Sequence, residues 1–283
     1  MEIERQIMKG KGLSEKAINT LLASRKTSTS NTYYRICNVF FDWCNTHGGN
    51  FLQPASESII EFLQQGLDKG LSLNTLKGHI SALSALTSVR WASHPLVIRF
   101  IQAIKHLKPN CRDKVPPWDL PLVLKVLMSD PFEPIEEIPL STLTLKMVLL
   151  LAIVSAKRVC ELHALSISGK NLSFFADKAV FKLEDKFLPK VVSDFHLNQL
   201  VVLPTFFPNP QNEEQLSWHN LDVVRCLKCY LKRTESIRST TALFVFPEGI
   251  RKGKKASKNI LAKWIKDCIN RAYSLTDKAS QRL

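Results

Sequence analysis

The sequence predicts a mainly α-helical protein with one small antiparallel β-sheet, an α+β chain built in two parts. Three observations predict it. Apolar residues recur at i, i+3, i+4 through most of the first hundred positions. A proline-rich, charged stretch, "KPNCRDKVPPWDLP", then breaks the pattern. Beyond it, two helical runs give way to short β-friendly runs, "KAVFKLED" and "QLVVLPTF".

Taken in order, "TSNTYYRICNVFFDWCNTHGG" places Tyr33, Ile36, Cys37, Phe40, Phe41 and Cys44 at helical spacing, with hydroxyl residues ahead of it and Gly48–Gly49 as a stop. "SESIIEFLQQGLDKG" is a second helix on Ile59, Ile60 and Leu63. "SLNTLKGHISALSALTSVR" is a third on Leu76, Ile80, Leu83 and Leu86. "HPLVIRFIQAIKHLK" is a fourth, with Pro95 in its first turn, and the residues before Thr27 add a short leading helix. These make an N-terminal helical domain over residues 1–107, followed by an extended linker over 108–118. The second domain, 119–283, opens with "DLPLVLKVLMSD" and "PLSTLTLKMVLLLAIVSAKRVCELHALSI", both read as helical. After the sheet, "WHNLDVVRCLKCYLKRT" reads as helix, "ALFVF" as strand and "ASKNILAKWIKDCINRAY" as a last amphipathic helix.

The chain has 283 residues and a formal net charge of +14. Such an excess of Lys and Arg predicts an anionic partner, and nucleic acid is the commonest large one. Seven cysteines without regular spacing are not a disulfide framework and suit reduced, intracellular thiols. "CLKC" (Cys226, Cys229) lacks the second pair of a zinc site, so no metal is expected. The longest apolar run, Met147 to Val154, is far below the roughly 18 residues of a membrane span, and the start of the chain has no signal-peptide core. A soluble protein with no membrane partner is expected. A Gly-rich phosphate loop, Gly-x-Ser-x-Gly and His-Glu-x-x-His are all absent, which excludes the hydrolase classes built on them.

The chemistry concentrates in "SAKRVCELHAL". On a helix, Glu161, Leu162 and Leu165 stand at +3, +4 and +7 from Arg158 and face the same way. With the leucines inward, Arg158 and Glu161 fall at the edge of the buried face, where a guanidinium needs a partner and Glu161 is placed to orient it. A structural Arg–Glu pair at a helix start is the plain alternative. A held guanidinium with a free fork suits bidentate capture of a phosphate.

"LLLAIVSAKRVCELHALSI" resembles the first arginine box of the tyrosine recombinases, the phage-integrase-like enzymes: an apolar helix, a small-residue turn, then Arg-x-x-Glu-Leu-x-x-Leu. "FLPKVVSDFHLNQLVVLP" is similar to recombinases of DIRS- and Ngaro-type eukaryotic retrotransposons. The resemblance covers roughly Thr27 to Tyr273 and implies a helical core-binding domain followed by an incomplete catalytic domain. It implies that Arg158 clamps phosphate, that Glu161 supports it, and that a hairpin lysine acts on the leaving hydroxyl. Lys190 is favoured for that lysine, with Lys186 and Lys182 as alternatives. The family's His-x-x-Arg box and nucleophilic tyrosine have no match here. After His219 there is no histidine, and neither Tyr230 nor Tyr273 follows a His-x-x-Arg. The chain as given is therefore expected to bind DNA without cutting it.

The implied partner is double-stranded DNA, with a homo-oligomer on it, a role in DNA recombination and integration of a mobile element, a nuclear location and no cofactor. Candidate DNA contacts in the first domain are Thr29, Thr32, Arg35, Asn74, Thr75, Lys77 and His79, polar or basic residues at helix starts and faces. "GIRKGKKASKN" adds five cations in eleven residues, either tracking a backbone or forming a disordered loop. The alternative from another class is a helical interaction module whose charge serves an acidic protein.

Overall fold

In unit 1 the predicted stripes of apolar residues become buried faces. The computed structural model describes residues 2–109, 118–184, 187–189 and 192–280. Two compact units divide it, residues 1–115 and 116–283. Most of the predicted linker lies outside the described residues. The protein is mainly helical with a small three-stranded antiparallel sheet.

The described residues of unit 1 form the α-helices α1 (Glu2–Gly10), α2 (Glu15–Leu22), α3 (Thr27–His47), α4 (Ser56–Asp68), α5 (Leu73–Thr87) and α6 (Pro95–Leu107). Gly48 ends α3 in the left-handed conformation, φ 70°. The Ser72 hydroxyl caps α5 by accepting from the Thr75 N–H. Phe40, Trp43, Ile59, Phe62, Leu63, Leu76, Ile80, Leu83 and Trp91 form the core of this unit. Gly66 of α4 lets Leu71 and Leu76 close in, since a Cβ there would stand 3.0 Å from Leu76 Cδ2.

Unit 2 is built around α8 (Leu140–Ser155), packed between α12 (Val223–Thr234) and α13 (Lys258–Ser280). Leu143, Met147, Val148, Leu149, Leu150 and Leu151 are all buried, and a helix apolar on every side belongs inside. Strands β1 (Leu172–Phe174), β2 (Lys178–Phe181) and β3 (Val201–Pro204) pair in sequence order, with Ser173, Val180 and Val202 aligned across the sheet. Ala179, Phe181, Val201 and Leu203 turn inward beneath it. The remaining helices are α7 (Leu120–Leu127), α9 (Val159–Leu162), α10 (Asp194–Leu197) and α11 (Glu213–Asn220).

One buried cation holds α8 in place. Lys146 is fully buried, and its Nζ donates to the carbonyls of Leu127 (2.7 Å) and Phe132 (3.3 Å) and to the Glu133 carboxylate. Arg225 of α12 forks onto the same carboxylate at 2.9 and 3.1 Å. Burial holds the Lys146 ammonium below the ordinary lysine range, against the opposing pull of Glu133.

Three expectations change. The run from Leu140 is two helices, since Ala156 is left-handed (φ 50°) and ends α8 before α9 begins. "WHNLDVVRCLKCYLKRT" also splits, because Asp222 turns its carboxylate onto the N–H groups of Val224 (2.7 Å) and Arg225 (3.0 Å) and starts a fresh helix. "ALFVF" makes isolated bridges, Ser166 with Ala242 and Val245 with Lys255, and does not join the sheet.

Candidate nucleic-acid interface

Arg158 is the N-cap residue of α9, in extended conformation, immediately after the left-handed break at Ala156. The Ala156 N–H bonds back to the Ala152 carbonyl at 3.1 Å, closing α8, and the Lys157 N–H reaches Ser155 Oγ at 3.4 Å. Glu161, buried at 8% exposure, accepts the Arg158 backbone N–H on Oε2 at 2.8 Å. This corrects the expected pairing. Glu161 holds the arginine by its backbone, in the manner of a capping-box glutamate, and does not bind its guanidinium. The guanidinium is exposed and has no partner among the described residues. The reason is the local backbone: Arg158 is an extended N-cap residue and α9 ends at Leu162, so no continuous helix sets Arg158 in one stripe with Leu162 and Leu165, which are buried.

A second group of cations stands at the other end of α9. This helix packs against α13. His163, its C-cap residue, is held below the ordinary histidine range first by burial, then by the positive charges of Lys255 and Lys258, with Glu184 opposing. Lys255 lies 3.9 Å from Glu184, and Lys258 is the first residue of α13. Arg158 and His163 are five residues apart, so about 8 Å of helix axis separates the guanidinium's base from this group. Sequence reasoning missed His163 and singled out the two lysines only as part of a charged stretch. The available signal was His163 itself, a titratable residue inside the arginine box.

The charged stretch is an ordered turn, not a disordered loop. Gly249 (φ 76°) and Gly253 (φ 77°) shape it. The Lys252 N–H donates to the Gly249 carbonyl at 2.9 Å, and the Gly253 N–H donates to Phe246 at 2.9 Å.

Lys190 and Lys186, two of the three hairpin-lysine candidates, lie outside the described residues. Lys182, the third, is exposed just after β2, where its N–H donates to the Asn171 carbonyl at 2.8 Å.

In unit 1 the candidate contacts divide. Thr32, Arg35, Asn74, Thr75 and Lys77 are exposed and Thr29 is half-buried. The Thr32 hydroxyl is spent on the Ser28 carbonyl (3.0 Å), and that of Thr75 lies 2.9 Å from Ser72 Oγ. His79 is a correction. Its ring stacks on Phe62 at 5.6 Å with Nδ1 buried, and burial holds it below the ordinary histidine range, so it belongs to the core face. The α3 and α5 groups are also not neighbours. The early α3 residues Tyr33, Tyr34 and Cys37 line a cleft with Ala82, Ala85 and Leu86 of late α5. Asn74 stands about 18 Å along α5 from Leu86, which lines that cleft.

Both tyrosines of unit 2 are engaged. Tyr230 is buried, and its oxygen accepts the Val245 N–H at 3.1 Å. The Tyr273 oxygen accepts the Asp119 N–H at 2.6 Å. Cys226 is buried on α12, and loss of solvation pushes its thiol up to about 12. Among the described residues no cluster of His, Cys, Asp and Glu could hold a metal ion, and no helix is long and apolar enough to cross a membrane.

No protein-family model matches this chain, and no curated protein matches it.

Proposed function

We propose that this chain is a duplex-DNA-binding protein of the tyrosine-recombinase type, acting in the nucleus in recombination and integration of a mobile element. The observation that carries the reading is the presentation of Arg158. A guanidinium with no partner among the described residues projects from a backbone fixed on both sides, by the closed end of α8 and by the Glu161 cap. A free arginine fork on a rigid mount is suited to a phosphate. The lysines beyond His163 extend the positive field along a backbone. Because Tyr230 and Tyr273 accept from backbone amides, unit 2 contributes a grip on DNA and neither tyrosine serves as nucleophile.

The test is electrophoretic mobility shift on duplex DNA across a salt series, with wild type and Arg158→Ala. The wild type binds at low salt and weakens steeply as salt rises. Arg158→Ala weakens binding on every sequence and lowers the salt slope by about one, with melting temperature unchanged. Absence of any shift at low salt refutes the proposal and favours an acidic protein partner.

A further inference from the structure

The turn that carries the cations also carries one side chain of the opposite character. Ile250, at its tip, is 102% exposed, with no packing partner among the described residues. Exposed Arg251, Lys252 and Lys254 follow it in the chain, and Glu248 is the one acid on the turn. An isolated, fully solvated β-branched aliphatic residue beside three exposed cations has no packing role in the fold.

The support beneath it is rigid. Lys252 and Lys254 close successive turns onto the carbonyls of Gly249 (2.9 Å) and Arg251 (3.0 Å), and the Phe246 N–H donates to Lys254 at 3.0 Å. The Gly253 carbonyl accepts from the Ser239 N–H and hydroxyl, each at 3.1 Å. No side chain fits at position 253, since a Cβ there would stand 1.7 Å from the Ile237 carbonyl oxygen. The Arg251 guanidinium lies over the Phe246 ring at 5.4 Å, and Phe246 meets Trp264 of α13 edge to face at 5.8 Å. The tip is therefore mounted on the helix whose first residue is Lys258.

We propose that Ile250 is a wedge that enters the minor groove of duplex DNA and opens a base step, while Arg251, Lys252 and Lys254 hold the flanking phosphates. This rests on the DNA-binding reading above and adds to it a deformation of the duplex. Proteins that bind the minor groove use single apolar side chains in this way, kinking the duplex toward the major groove. The charge of the turn matches that partner. A membrane surface is the poorer match, since one aliphatic side chain is little apolar area for insertion beside three cations. A pre-formed turn loses no loop entropy on insertion, which is the use of the Gly253 lock.

The experiment uses the full chain and a mixed-sequence duplex of about 30 bp labelled at both ends for energy transfer. Wild type shortens the end-to-end distance on binding. Ile250→Ser keeps its melting temperature and salt slope, binds about five- to tenfold more weakly and leaves the duplex straight. Arg251→Ala/Lys252→Ala/Lys254→Ala lowers the salt slope by about two to three. If Ile250→Ser binds and bends like wild type, the wedge is wrong and the DNA-binding reading stands. If wild type binds no duplex at low salt, both fall. If phosphatidylserine vesicles capture the chain through Ile250 while the duplex stays straight, the wedge is overturned in favour of a lipid surface.

Discussion

Replacing Glu133 by Gln removes the charge that faces both Lys146 and Arg225 while keeping the shape of the side chain. Lys146 has no route to water, and its two carbonyl partners carry no net charge. Breaking a buried pair by deleting one partner typically costs about 3–5 kcal/mol, because the remaining charge is left uncompensated. For a unit of this size, about 2–4 °C of melting temperature accompanies each kcal/mol, which gives a loss of roughly 6–20 °C. The pH dependence follows from linkage. Burial already holds the folded Lys146 below its unfolded range and Glu133 raises it, so Glu133→Gln lowers it further. Between the folded and unfolded values the unfolded chain binds the extra proton, and stability there rises with pH. The deficit of Glu133→Gln is therefore greatest near neutral pH and narrows as pH climbs toward the lysine range. Lys146→Met, which removes the buried cation and leaves Glu133 paired with Arg225, costs less than Glu133→Gln. Thermal melts by circular dichroism from neutral to alkaline pH test this. A Glu133→Gln deficit under about 1 kcal/mol, a deficit that does not change with pH, or a larger loss in Lys146→Met would each refute the reasoning.

Ala156→Gly relieves a left-handed alanine at the end of α8 and raises stability by about 1 kcal/mol, read from urea unfolding, with DNA affinity unchanged because the Glu161 cap remains. In the native protein Cys226 and Cys268, both buried and both pushed up to about 12 by loss of solvation, resist iodoacetamide at pH 8 and label only in denaturant, as peptide mass mapping would show.

Much of unit 1 was legible because its apolar residues keep a helical period over whole helices, and local pattern and tertiary burial agree there. His79 could have been read correctly from the same pattern. It follows Leu76 by three and precedes Leu83 by four, which places it on the inward stripe. A small-residue turn before Arg158 is implied by the resemblance, but not which residue turns left-handed, since Ser, Ala, Lys and Arg raise no local objection to helix. That one turn makes Arg158 a capping residue, so Glu161 holds its backbone N–H and not its guanidinium. β1 escaped notice because three residues with mixed exposure carry no alternation to detect. "ALFVF" misled for the opposite reason: a β-rich composition buried among helices satisfies its backbone through isolated bridges and turns.

α8 is surrounded by side chains along nearly its whole length, and the exposed guanidinium stands three residues beyond its end. Closely packed interiors transmit displacement and do not absorb it. A methyl group added or removed at Leu150 or Met147 would therefore travel outward as a shift in where the arginine meets its ligand. If the chain binds DNA as proposed, variants that look like simple interior changes alter that grip as well as stability, and such lesions would be mistaken for contacts at a distance.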